Sequence, residues 1–136
     1  MNTWIKKAGL ALLLSASSTY LFAGTLAKVP VEINRETLTA GGSMTSARFF
    51  SNEFEMIGCG VRTFRTDEGY QLDFGFCSAS LVEGETVMCT TENMDLIETI
   101  RAIDDFSYVI FRWNDDGECQ YVGNSTRSQY ITGKLK

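Results

Sequence analysis

Four cysteines, Cys59, Cys77, Cys89 and Cys119, constrain this chain more than any other feature of its sequence. An even count in a small chain with an export leader reads as a disulfide framework. A zinc site would need close ligand pairs such as C-x-x-C. These cysteines are far apart, and the chain has no histidine to complete such a site. Two disulfides are therefore expected. Spacing around turns suggests the pairing. Glu83-Gly84 has the chemistry of a hairpin tip, and counting outward from it sets Cys77 opposite Cys89. Cross-strand neighbours have the short separation that a disulfide requires. The expected pairs are then Cys77–Cys89 and Cys59–Cys119. The rival is Cys59–Cys77, because a turn at Asp67-Glu68-Gly69 would set those two opposite as well.

The compartment follows from the amino terminus. Lys6 and Lys7 precede the apolar run Ala8 to Leu14, and small polar residues follow, the order of a signal peptide. Cleavage is expected after Ala23, or after Ala27. The apolar run is shorter than the roughly 20 residues that span a bilayer. The reading is an exported chain, periplasmic or extracellular, with no stable membrane insertion once the leader is removed. Residues 1–23 are the expected leader, and residues 24–136 are expected to form a single disulfide-stabilised domain with an extended N-terminal arm. A domain of roughly 110 residues buries about two-thirds of its unfolded surface, enough for one modest core.

Charge and chemistry narrow the function classes. The formal net charge is −5, and loss of Lys6 and Lys7 makes the mature chain more acidic still. Such a field repels a phosphate backbone, so nucleic acid is not an expected partner. The absence of histidine removes the Ser-His-Asp triad, the Cys-His dyad and imidazole metal sites. Cysteines held in disulfides supply no thiolate. No cofactor fingerprint is present, and no cofactor is expected.

Hydrophobic periodicity gives the elements. Residues 25–34 alternate Val29, Val31 and Ile33, as an edge strand or an extended arm does. Gly41-Gly42 reads as a flexible break. Residues 43–54 fit either a short helix or an irregular strand. Residues 56–63, 70–80 and 86–91 read as strands. In the second of these, Leu72, Phe74 and Phe76 point one way and Asp73, Gly75 and Cys77 the other. Asn93 can cap a helix reaching about Asp104, with Leu96, Ile97, Ile100 and Ile103 on one face. Residues 107–113 and 118–124 form a hairpin closed by Asp115-Asp116-Gly117. A last short strand is expected over residues 129–132. The fold class is α+β: a small antiparallel sheet of about five to six strands, in the order β-β-β-α-β-β, with one helix packed on a face.

Each candidate site has a plainer structural reading. Asn114, Asp115, Asp116 and Glu118 gather oxygen ligands, but Asp-Gly is also what a tight hairpin requires. Asp73 lies mid-strand beside Gly75, where burial could raise its pKa and make it the first acid of a carboxylate-dependent hydrolase. Asn124-Ser125-Thr126 is a glycosylation sequon. Tyr108, Arg112, Trp113 and Tyr121 cluster on the last hairpin, and these residue types anchor protein interfaces. The expected function is a non-enzymatic, monomeric module of the protein-binding or inhibitor type. The alternatives are the hydrolase and a structural component of the cell envelope.

Overall fold

The computed structural model describes residues 26–50 and 52–131. The expected leader and the expected cut after Ala23 lie outside those residues. Ala27 is described, and its N–H donates to the Gln129 carbonyl at 2.9 Å.

Asn34 organises the first turn, its Oδ1 accepting from the N–H groups of Glu36 and Thr37 at 2.9 Å. That turn joins β1 (Glu32–Asn34) to β2 (Thr39–Ser43). The Gly41-Gly42 pair is therefore strand and not a break. The Tyr108 hydroxyl takes up the space above Gly41, 2.7 Å from where a Cβ would stand. The ambiguous segment that follows resolves as a short helix, α1 (Met44–Phe50).

Three antiparallel strands come next: β3 (Met56–Arg65), β4 (Gln71–Ser80) and β5 (Thr86–Thr91). Asn93 then caps α2 (Met94–Arg101) by accepting from the N–H groups of Asp95 and Leu96. The chain closes with the hairpin β6 (Ser107–Trp113) and β7 (Cys119–Thr126). The turn between them places Gly117 at φ 77°, a left-handed conformation that glycine adopts without strain. The expected final strand is instead a 3₁₀ turn at Ser128–Tyr130. It buries Tyr130 and stacks it on Tyr108 at 6.0 Å between ring centres.

The fold is α+β, and its strands divide into two antiparallel sheets, β1-β2-β6-β7 and β3-β4-β5. Val109, Phe111, Val122 and Ala40 of the first meet Ile57, Cys77, Ala79, Val87 and Cys89 of the second in one core. Ile97 and Ile100 of α2 are buried as well, and that helix touches β3, β4 and β7. At one seam the sheets nearly join, through a lone bridge between Thr90 and Glu118.

The disulfides are Cys59–Cys77 and Cys89–Cys119, which overturns the pairing expected from the Glu83-Gly84 hairpin and bears out the rival for Cys77. Cys77 does stand opposite Cys89 across the Glu83-Gly84 hairpin. It also stands opposite Cys59, so three cysteines share one row across the sheet. An antiparallel residue turns its N–H and C=O toward one neighbour and makes the narrower pair with the other. The Cys59–Cys77 Cα separation is 4.0 Å, which marks that side as the narrow pair. Cys89 is left to reach across the seam to Cys119, so the second bridge ties the two sheets together.

Candidate functional site

The alternation in β4 decides what each face of the second sheet carries. Asp73, Gly75, Cys77 and Ala79 point inward, and Leu72, Phe74, Phe76 and Ser78 point outward. The large apolar residues are thus on the outer face. At Gly75 the inner side lies against α2: a Cβ there would be 2.7 Å from Ile100 Cδ1 and 3.4 Å from Ile97 Cγ1, so a side chain at that position has no room beneath the helix.

The outer face has an ordered surface. Phe64 of β3 stacks on Phe74, with ring centres 5.5 Å apart and planes 10° from parallel. Phe76 continues the row at 6.3 Å, and the Arg62 guanidinium lies 5.4 Å from its ring centre. Gly60 lies beneath the Phe76 ring, which occupies the space a Cβ would take. Exposure is high: Phe64 is 52% accessible, Leu72 59%, Met88 58%, and Tyr70, at the hairpin end, 69%. These apolar side chains are grouped on one face of the sheet rather than scattered singly over the surface. The sequence carried a signal for it, the run of aromatic residues on one side of a strand whose other side is glycine and cysteine. The periodicity could not say which side meets the core.

Tyr108, Arg112 and Tyr121 lie together on the outer face of the other sheet, with Arg112 directly opposite Tyr121. Trp113 is not among them. It points inward and packs at 5.7 Å against the buried Phe111. Tyr108 is half-buried, and its hydroxyl pKa is raised by burial, with Tyr130, Glu32 and Tyr121 adding to the effect. Its ring and that of Tyr121 lie close over Gly41 and Gly123, covering backbone rather than projecting from it.

Asp73 faces inward at the edge of α2. Its carboxylate receives a hydrogen bond from its cross-strand partner Thr63, and it forms an ion pair with Arg101 at 2.6 Å. Those two contacts, Thr63 first, hold its pKa below the usual carboxylate value. This is the reverse of the raised pKa that a general acid needs. The Asn114 to Glu118 cluster is spent on its turn. Asn114 Oδ1 accepts from the N–H groups of Asp116 and Glu118, and Asn114 Nδ2 donates to Glu118 Oε2 at 2.9 Å. Among the described residues, no group of three or more Cys, Asp or Glu side chains is placed to hold a metal ion. The sequon asparagine is also engaged, since Asn124 Nδ2 donates to the Thr99 carbonyl at 3.3 Å on the inner side of β7.

Among the described residues no helix is long and apolar enough to cross a membrane. Beside the aromatic row, a cleft of about 1210 Å³ opens between β4, the start of α2 and the start of β7. Comparison of the chain with protein-family models, with curated proteins and with solved structures returned no match.

Proposed function

We propose that the mature chain is exported and acts as a non-enzymatic module that binds another protein through the outer face of β3-β4-β5. The observation that carries this reading is the outward-facing row of Phe64, Phe74 and Phe76, in which Phe64 is exposed and Phe74 and Phe76 are partly buried, flanked by the exposed Leu72, Met88 and Arg62. Aromatic and arginine side chains are the usual anchors of interfaces, and their burial against a partner supplies most of the affinity. Two disulfides support export, because such bonds persist in oxidising compartments. Cleavage after Ala23 keeps the Ala27 hydrogen bond to Gln129, whereas cleavage after Ala27 removes it. The low pKa of Asp73 counts against the hydrolase alternative.

The test compares variants of the natively exported, disulfide-bonded protein in affinity capture from its own secretome or envelope, with each captured partner then titrated. Phe76→Ser and Met88→Ser are expected to weaken binding more than 10-fold, while Arg112→Ala with Tyr121→Ala leaves it unchanged. Loss of binding in the second pair alone would move the site to the first sheet.

A further inference from the structure

The β3–β4 hairpin is longer than the strand beside it. Pairing of β3 with β4 extends to Arg65 opposite Gln71, but pairing of β4 with β5 stops at Gly75 opposite Thr91. After Thr91 the chain leaves the sheet, because Thr91 Oγ1 accepts from the Asn93 N–H and Asn93 begins α2. Among the described residues, the edge of β4 away from β3 therefore has no strand beside it over Gln71 to Phe74. An edge of this kind presents ladder N–H and C=O groups that another strand can take up.

That open edge is one wall of the cleft. Gln71, Leu72, Asp73 and Phe74 form it, and Glu92, Asp95 and Glu118 stand on the facing sides. Among the described residues no lysine or arginine lines the cleft. Asp73 has its cation in Arg101, while Glu92, Asp95 and Glu118 are exposed carboxylates, the last also accepting from Asn114 Nδ2. The start of α2 contributes a partial positive charge of about half a unit, too little to neutralise them. The two sides of the edge differ in character. On the outer side Leu72 and Phe74 join the aromatic row, and on the inner side Asp73 neighbours the acidic walls.

We propose that this cleft takes an extended, cationic segment of the partner protein, added as a strand alongside Gln71 to Phe74. Side chains alternate across a strand. The bound segment therefore alternates apolar residues, lying beside Leu72 and Phe74, with lysine or arginine, facing Glu92, Asp95 and Glu118. Main-chain hydrogen bonds supply affinity and the alternation supplies specificity, as in other strand-addition complexes. This proposal rests on the protein-binding reading above and specifies the partner's chemistry.

The probe is an acetylated, amidated peptide alternating lysine and valine, titrated into the native disulfide-bonded protein and followed by amide NMR. Its counterpart with glutamate for lysine is expected to bind at least 10-fold more weakly at low salt. A version N-methylated on alternate amides is expected to lose binding by a similar factor. Asp95→Asn combined with Glu118→Gln, both isosteric and at exposed positions, should weaken the lysine peptide about 10-fold and flatten its salt dependence. New peptide contacts should appear at Gln71 to Phe74. Equal binding of the lysine and glutamate peptides, or no effect of N-methylation, overturns the proposal. Phe76 and Met88 lie outside the cleft, so the two readings fail separately. If the natural partner is lost with Phe76→Ser and Met88→Ser but kept with the acidic variants, the aromatic face stands and the cleft falls. The opposite pattern removes the aromatic face and leaves the cleft.

Discussion

Asp73 shows how one neighbour can reverse a residue's chemistry. Read along the strand, it was a candidate acid whose pKa burial would raise. In the fold, Thr63 and Arg101 both stabilise its charged form. Its folded pKa lies below its unfolded value of about 3.9. The stabilisation is therefore complete above about pH 4 and is lost as the pH falls through the folded pKa. Asp73→Asn is expected to flatten the acid limb of the stability–pH curve below about pH 4, measured by denaturant unfolding at each pH. An acid limb identical to that of the parent would show that the ion pair contributes nothing. Arg101 is not recognisable as a partner from sequence spacing, because it is placed by the way α2 crosses the sheet; Thr63 falls opposite Asp73 in the same β3–β4 register that pairs Cys59 with Cys77.

At the scale of elements, the strands with strong alternation or dense β-branched and aromatic content were legible, and β5 and β6 fall on the expected residues. Local chemistry also fixed the start of α2. Asn93 accepts two of the first N–H groups of that helix, at 2.9 and 3.2 Å. Asn93→Ala is expected to cost about 1 kcal/mol of stability in urea or guanidinium titration. A change within a few tenths would mean that packing of Ile97 and Ile100 alone holds the helix end. The misread elements have a common cause. Gly41-Gly42 resembles a linker until the Tyr108 side chain, more than sixty residues later in the chain, is seen to need the space above it. The tail resembles a strand until Tyr130 finds its stacking partner. In both cases a contact distant in sequence outweighed local propensity.

On the scale of the whole molecule, the two disulfides do different work. Cys59–Cys77 staples neighbouring strands within one sheet, while Cys89–Cys119 joins the sheets across the Thr90–Glu118 seam. Their sequence separations are 18 and 30 residues. On chain entropy alone the first is worth about 3 kcal/mol and the second about 0.5 kcal/mol more. Removing the inter-sheet bridge with Cys89→Ala and Cys119→Ala should therefore lower stability more than Cys59→Ala with Cys77→Ala, in equilibrium unfolding under non-reducing conditions. The opposite order would show that the shared core, and not the bridge, holds the sheets in register.

The amino-acid sequence by itself determined that the chain has paired cysteines, an α+β element order and a histidine-free chemistry, because these follow from composition and short-range periodicity. It also placed Leu72, Phe74 and Phe76 on one side of their strand. Only the tertiary structure decided that this side faces outward, because α2 packs over Gly75 on the other side and leaves no room there for a side chain. The same holds for the disulfide partners. Three cysteines in one row are equally close by counting, and the choice belongs to which neighbour receives the hydrogen bonds of Cys77, a property of sheet register that no local spacing encodes.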